Sequence, residues 1–353
     1  MIDARVLVNA LRDPASVGVL DAKGWTALLT IARAEQLIGT LAHRLAGQEI
    51  PGSVAAILDD ARTNADYQKR AALWEADCAR RALGSYPGKV VLMKGTAYVA
   101  AGLMAGQGRH IGDLDIMVAR DHLPQVEALL LGEGGWEWVK EDAYDDAYYR
   151  NHMHELPPMI HKERDAMIDV HHTILPMTAR PMPDAAAMLA DAQKPSPLQG
   201  RGGSSAAAEG EGDFGLHIFA PTDIVVHCAT HLIADGDLSG GLRNLWDMHC
   251  LLTEFGGDAY WPALKSRAEH HQLWPAVHRA ARLSRQLYGT DIPKDWQSWN
   301  GQDKWFVLRL TARDEWGRGS RKLIRFCFFA RSHWLRMPPL MLAKHLWTKW
   351  LKG

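Results

Sequence analysis

The sequence RHIGDLDIMV at residues 109–118 decides how this chain folds, because polar and apolar side chains alternate along its second half. In a β-strand, successive side chains point to opposite faces. Asp113 and Asp115 therefore point the same way, while Leu114 and Ile116 point into the core. The stretch predicts a strand that holds two carboxylates on one polar face.

Two carboxylates at this spacing predict a cation site. Like charges held close together repel each other unless a positive charge lies between them. Carboxylate oxygens suit Mg²⁺, which takes few protein ligands and completes its shell with water and phosphate oxygens. Asp113 and Asp115 are therefore expected to bind Mg²⁺ together with a nucleotide. The simpler interpretation, that both acids cap a turn and pair with Arg109, does not explain the sequence that precedes them.

The sequence LMKGT at residues 92–96 predicts a phosphate-binding turn upstream of this strand. The apolar run before the turn predicts a buried strand, and a helical run follows at residues 97–104. Amides at a helix start carry partial positive charge, and Gly95 lets the backbone approach a ligand closely. Lys94 and Thr96 would add an ammonium and a hydroxyl. The alternative is that Lys94 is a solvated lysine at a strand end.

Strand, Gly-Thr turn, helix and a strand with Asp-x-Asp together resemble the nucleotidyltransferases of the polymerase β superfamily. More narrowly, LMKGT followed by Arg109 and GDLDIMV is similar to a poorly characterised bacterial nucleotidyltransferase family with an LKG turn. The resemblance spans residues 20–255. It implies an α+β fold, in which a nucleotidyltransferase-like mixed sheet has flanking helices, a helical N-terminal segment and a helical C-terminal region.

The resemblance also implies an activity. Such an enzyme transfers a nucleoside monophosphate from Mg-NTP to an acceptor and releases pyrophosphate. Two Mg²⁺ ions would be held by Asp113, Asp115 and a third carboxylate, and no covalent nucleophile on the protein is required. The nucleotide would be bound by the turn and by the arginine before the Asp-x-Asp strand: Lys94, Gly95, Thr96 and Arg109.

The sequence MIDVHH at residues 167–172 supplies the candidate third carboxylate. Ile168 and Val170 flank Asp169, so strand alternation sends Asp169 to the polar face together with His171. Because a third carboxylate is what a two-cation site lacks, a ligand role for Asp169 is favoured over a structural ion pair. The stretch is similar to the family's third-carboxylate strand, with His171 as a possible accessory residue.

Residues 227–252 are similar to the family's C-terminal helical region, which implies that Arg243 and Asp247 face the nucleotide cleft. From the residues alone, an ordinary helix-surface pair between these two side chains, at i, i+4 spacing, is the favoured interpretation. His227 and His231 have the same spacing, which places two imidazoles on one helix face, as in some zinc sites. No glutamate adjoins His227, and zinc is not favoured.

The chain divides by composition. Its 353 residues exceed the size at which one core usually stops growing, so more than one unit is expected. The stretch at residues 191–213 is rich in Gly, Ser and Pro and lacks apolar periodicity, which predicts a mobile segment. The expected units are a helical segment at 1–86, the catalytic core at 87–190, a flexible linker or insertion at 191–213 and a helical region at 214–353. Within the core, the sequence predicts a helix at 123–131 and strands near 136–139, 155–160 and 167–174.

The cytoplasm is the expected compartment. The four cysteines lie far apart and form no Cys-x-x-Cys pair, which argues against a zinc ribbon or a disulfide scaffold. The first residues show no signal-peptide pattern, and no stretch approaches the ~20 apolar residues that span a bilayer.

The C-terminal tail differs from the rest of the chain. Residues 313–353 carry ten Lys or Arg against two acidic residues, a net charge of +8, and they are rich in Phe and Trp. A pair of helices that buries its aromatic side chains is the favoured interpretation. Peripheral contact with an anionic membrane or with a phosphorylated partner is the alternative.

Two other functions are compatible with the same residues. One is a catalytically faded protein that binds a nucleotide or acts as a scaffold in a biosynthetic system. The other is transfer of a different phosphate-linked group, such as a sugar from a nucleotide sugar. The expected partners are an NTP and an unidentified acceptor, which could be a small molecule, a peptide or a protein, with nucleic acid less favoured.

Overall fold

The structure is a computed structural model that describes residues 2–140, 142–195 and 215–336. A helical segment opens the chain, as the sequence predicted. Its four α-helices are α1 (Arg5–Arg12), α2 (Ala22–Ala34), α3 (Ile38–Arg44) and α4 (Gly52–Ala82). The start of α2 is capped by the Asp21 carboxylate, which accepts a hydrogen bond from the Gly24 amide at 2.7 Å.

One mixed sheet follows, which confirms the predicted fold class. Among the described residues its six strands are β1 (Val91–Leu92), β2 (Asp113–Met117), β3 (Trp136–Trp138), β4 (Met159–His161), β5 (Met167–His171) and β6 (His217–Ile218). Their order in the sheet is β3-β4-β5-β2-β1-β6. The pairs β2–β5 and β1–β6 are parallel, and the other neighbours are antiparallel.

The centre of the sheet has the alternation that the sequence predicted. Leu114 and Ile116 of β2 are buried in the core, as are Ile168 and Val170 of β5. The two strands are in register from Asp113 opposite Met167 to Met117 opposite His171. The acidic residues of both strands are therefore brought to the same part of the sheet.

The helix after β1 begins earlier than predicted. Helix α5 is Lys94–Ala100, so Gly95 and Thr96 belong to its first turn. Lys94 has a φ of 47°, in the left-handed region, and this turns the chain sharply from strand to helix. Glycine and threonine are weak helix formers, which explains why the sequence pattern placed the helix start at residue 97.

The sequence missed one strand. It predicted only helices beyond residue 214, and this is wrong at β6, which adds an edge to the sheet beside β1. Gln193 also forms an isolated antiparallel bridge to Ile218 of β6. A strand of two residues has no alternation to detect.

The predicted linker at 191–213 is described only at its start. Residues 196–214 lie outside the described part of the chain. At the start, the Lys89 ammonium donates hydrogen bonds to the carbonyl oxygens of Ala190 at 2.7 Å and Ala192 at 2.9 Å. Those first residues are thereby joined to the sheet.

Helices cover the sheet and fill the C-terminal region. No helix in the described residues combines the length and the apolar character that crossing a membrane requires. A π-helical turn at residues 230–235 directly follows the α-helix that ends at Ala229. The remaining α-helices are α6 (Leu123–Leu131), α7 (Ala143–His152), α8 (Ala185–Ala190), α9 (Pro221–Ala229), α10 (Gly241–Phe255), α11 (Tyr260–His270), α12 (Trp274–Tyr288), α13 (Asp303–Leu310) and α14 (Lys322–Arg336).

The aromatic side chains of α14 depart from the favoured sequence interpretation. Phe328 is buried, but Phe326, Phe329 and Trp334 are 66%, 52% and 50% exposed. The prediction of a helix that buries its aromatic side chains is therefore wrong for most of α14. Residues 337–353, which contain the rest of the tail, lie outside the described chain.

Candidate active site

Three carboxylates converge at the centre of the sheet. Asp113 and Asp115 lie on β2, and Asp169 lies on β5 opposite Asp115. One oxygen from each of the three carboxylates lies within 4.8 Å of the other two. Asp113 is exposed, Asp115 is only 2% exposed and Asp169 is partly buried. The structure thus brings together the three acids that the sequence predicted.

Two cationic or hydrogen-bonding side chains hold Asp115. The Lys94 ammonium lies 2.6 Å from Asp115 Oδ1, and His171 Nε2 lies 3.0 Å from the same oxygen. Burial alone would raise the pKa of Asp115, but Lys94 and His171 outweigh it and hold that pKa well below its usual value. Burial would likewise lower the pKa of Lys94, and the Asp115 charge raises it instead. Asp115 is therefore ionised and Lys94 is charged.

The negative charge of Asp169 is the least favoured among the three acids of the site. Burial, followed by the negative charges of Glu155 and Asp115, raises its pKa to about 7. Near neutral pH this carboxyl group is close to half protonated. A divalent cation between the three acids would relieve the repulsion, and carboxylate oxygens are the donors that Mg²⁺ prefers. The residues present therefore fit a Mg²⁺ site.

The three residues of the predicted phosphate turn differ in accessibility. Lys94 is partly exposed, whereas Gly95 and Thr96 are buried in the first turn of α5. Thr96 Oγ1 is buried and has no hydrogen-bond partner within the described chain. A buried hydroxyl without a hydrogen-bond partner is unfavourable, and a ligand oxygen that accepts a hydrogen bond from Thr96 would remove this cost. The phosphate-binding role of Gly95 and Thr96 stays a prediction.

Arg109 forms a buried ion pair with Asp247 of α10. Arg109 Nε and Nη2 both lie 3.0 Å from Asp247 Oδ2, and Nη1 donates to the His110 carbonyl at 3.1 Å. A side chain at Gly95 would overlap Arg109 Nη1. The guanidinium therefore lies directly beneath the turn, and only glycine leaves room for it at position 95.

The interpretation of Arg243 and Asp247 as a helix-surface pair is wrong. Asp247 is buried and pairs with Arg109, more than a hundred residues away in the sequence. The Arg243 side chain instead donates a hydrogen bond to the Gln36 side-chain oxygen at the end of the second helix. Asp247 thus supports the turn from α10.

From the sequence, no role was predicted for Glu155 or for His154. Glu155 forms an isolated bridge with His171 on β5, and its Oε2 lies 3.3 Å from His171 Nδ1. His154 Nε2 lies 3.6 Å from the same oxygen. One signal could have found them, since a glutamate at the start of a predicted strand is unusual and needs a partner.

His227 lies close enough to this site to interact electrostatically with Lys94 and His171. Burial, together with the positive charges of those two side chains, lowers the pKa of His227 to about 3. His227 is therefore neutral. It also packs edge-on against Phe219, with ring centroids 5.7 Å apart.

Comparison with known proteins identifies a family. The model of a family described as uncharacterised nucleotidyltransferase matches residues 21–289. The matched segment contains all the acidic, basic and histidine residues of the site. No curated protein and no solved structure matches the chain.

Proposed function

The chain belongs to a family of uncharacterised nucleotidyltransferases, and from this premise we propose that it transfers a nucleoside monophosphate from Mg-NTP to an acceptor, with release of pyrophosphate. The observation that carries the proposal is the convergence of three carboxylates within 4.8 Å beside the LKG turn. Two of them lie on one strand and the third on its parallel neighbour, so the backbone fixes their relative positions.

The three acids would bind two metal ions in different combinations. Asp113 and Asp115 would hold two Mg²⁺ ions, and Asp169 would hold the one nearer the acceptor. When bound, such ions neutralise triphosphate charge and favour ionisation of the attacking hydroxyl. His171 positions Asp115 by donating a hydrogen bond to Oδ1, which leaves Oδ2 free of that bond.

Lys94 and the turn would bind the triphosphate. The Lys94 ammonium is anchored on Asp115 and is partly exposed, which supports a contact between Lys94 and a phosphate oxygen bound at the same carboxylates. Gly95 and Thr96 would supply backbone amides and a hydroxyl to the β and γ phosphates. Arg109 was predicted to bind nucleotide directly, and its contacts support a different role, holding Gly95 and the turn in place against Asp247.

The acceptor is proposed as a small molecule, a peptide or a protein hydroxyl, with nucleic acid less favoured. The three carboxylates support catalysis over a faded scaffold. The raised pKa of Asp169 shows that its negative charge is held at a cost, and such perturbed groups are typical of functional sites. Transfer of a different phosphate-linked group, such as a sugar from a nucleotide sugar, remains the alternative reaction at the same site. We keep the cytoplasm as the proposed compartment.

One surface supports the proposal of peripheral membrane contact. Helix α14 exposes Leu323, Phe326 and Trp334 at positions that share one side of a helix, next to the exposed side chains of Lys322 and Arg325. Exposed apolar side chains beside basic ones are typical of helices that bind anionic lipid.

Labelled nucleotides test the proposed reaction. Purified protein would be incubated with cell extract, Mg²⁺ and each NTP, labelled in parallel at the α or the γ phosphate. Transfer of α label to an extract component, without transfer of γ label, is the expected result. Transfer of γ label would indicate a kinase. Nucleotide binding without transfer of either label would indicate the scaffold. A parallel incubation with a nucleotide sugar labelled in its sugar tests the alternative reaction, which transfer of that label alone would indicate.

A further inference from the structure

A second group of metal-ligating side chains adjoins the carboxylate triad. Ligand atoms of His154, Glu155 and His171 lie within 4.8 Å of one another, with His171 in a buried position. The proposed nucleotidyl transfer uses His171 only through its bond to Asp115. It gives no role to His154 or Glu155.

The distances within this group match the spacing of ligands around one small ion. Glu155 Oε2 lies 3.3 Å from His171 Nδ1 and 3.6 Å from His154 Nε2. Ligands at the usual zinc distances of ~2.0–2.2 Å, placed at tetrahedral angles, lie about 3.4 Å apart. Both distances agree with that value, whereas a direct hydrogen bond is shorter than either.

The two nitrogens of His171 have different environments. Nε2 is bonded to Asp115, while Nδ1 is buried and makes no hydrogen bond within the described chain. Histidines that bind a metal through one nitrogen commonly donate the other N–H to a carboxylate, which fixes the ring. His171 has this arrangement, with Asp115 as the carboxylate and Nδ1 directed towards Glu155.

The electrostatics of the region favour an added cation. Four carboxylates interact with one another here, from Asp113, Asp115, Glu155 and Asp169, and Lys94 is the ammonium among them in the described structure.

We propose that His154, Glu155 and His171 form a second metal site, separate from the Mg²⁺ site and selective for a transition-metal ion such as Zn²⁺. Two imidazoles and one carboxylate favour such ions, whereas the three carboxylates of the triad favour Mg²⁺. The metal holds His171 in the orientation in which Nε2 donates to Asp115. The second site thereby positions a ligand of the first.

Metal binding without nucleotide tests this proposal independently of the proposed reaction. Protein stripped with a chelator would be titrated with Co²⁺, whose visible absorption reports imidazole ligands and low coordination number, and then with Zn²⁺ by calorimetry. The variants would be His154→Ala and Glu155→Gln, compared with Asp113→Asn and Asp169→Asn. His152→Ala, in the same segment but outside the group, is the matched control.

The proposal expects one tight Co²⁺ or Zn²⁺ site in wild type, in both Asn variants and in the control. His154→Ala and Glu155→Gln should each weaken it by more than about 10-fold. Far-ultraviolet circular dichroism checks that these variants fold. The proposal is overturned if the wild type shows no such site, if His154→Ala binds as tightly as wild type, or if Asp113→Asn loses the site.

Discussion

Asp115 on β2 and Asp169 on β5 are register partners in two parallel strands, and one oxygen of each lies within 4.8 Å of the other. The two acids nevertheless have opposite pKa shifts. Asp115 is stabilised as an anion by Lys94 and His171, whereas burial and neighbouring carboxylates raise the pKa of Asp169 to about 7. A bound cation would therefore relieve more unfavourable charge at Asp169 than at Asp115.

This difference predicts how stability depends on pH without metal. A carboxyl with an ordinary pKa of 3.8 when unfolded and about 7 when folded binds more protons in the folded state between those values. Its contribution to the free energy of unfolding therefore falls as pH rises from about 4 to 7, by at most ~1.4 kcal/mol per pH unit. Asp169→Asn should remove that contribution. Urea unfolding in chelator at several pH values measures it, and equal pH slopes for wild type and variant would contradict the assignment.

Asp169→Asn should also separate nucleotide binding from transfer. If Asp169 holds only the ion nearer the acceptor, its loss leaves the ligands of the triphosphate-bound ion in place. Mg-NTP affinity by calorimetry should stay within about threefold of wild type, while the transfer rate falls by more than about 100-fold. Loss of both together would place Asp169 in the triphosphate site or in the fold.

The buried pair of Arg109 and Asp247 predicts a large effect on stability. Asp247→Asn leaves the guanidinium buried without a counter-charge, which should cost about 3–5 kcal/mol of unfolding free energy. The double variant Arg109→Met with Asp247→Leu should recover much of this loss of stability. It should nevertheless disturb the turn that contains Gly95, because the Arg109 guanidinium lies beneath that turn. Arg243→Gln is the control, because Arg243 pairs with Gln36. Equal destabilisation by Asp247→Asn and Arg243→Gln would contradict the assigned pairing.

The exposed face of α14 predicts lipid binding. Phe326→Ser with Trp334→Ser should weaken sedimentation with phosphatidylserine liposomes, and raising the salt concentration should weaken the wild type as well, because surface charges are screened over about 10 Å near 0.1 M. Trp305→Ser, an exposed tryptophan on α13, is the control. Arg321 is not a suitable target, since it bonds Asp3 and Thr311. If the wild type does not bind liposomes, or if the double variant binds them as well as the wild type does, the proposed lipid contact of α14 is wrong.

Local patterns were sufficient for the strands and acids of the site. The alternation around Asp113 and Asp115 and around Asp169 placed all three carboxylates on one face, because strand geometry fixes side-chain direction residue by residue. The helix predicted at residues 123–131 has the same bounds as α6. These features depend on neighbours within a few positions.

Contacts between distant segments could not be predicted. Asp247 has a potential partner at i−4 in Arg243, and nothing local indicates that tertiary packing gives it Arg109 instead. Glu155 lies beside His171 because its backbone forms an isolated bridge to that residue of β5, and nothing in the local sequence indicates this pairing. β6 is too short to carry a pattern, and its pairing with β1 crosses more than a hundred residues.

The most direct test of the nucleotidyltransferase assignment is transfer of α-labelled NTP by the double variant Asp113→Asn and Asp115→Asn. Both changes remove oxygen ligands without removing volume, and Glu137→Gln, an exposed acid on β3, is the matched control. We expect Mg²⁺-dependent transfer to fall by more than about 100-fold in the double variant and to be unchanged in the control. Asp115→Asn also removes the counter-charge of Lys94, so the double variant should unfold at a lower temperature, and circular dichroism at the assay temperature checks that it is folded. Transfer at the wild-type rate by a folded double variant would contradict the assignment.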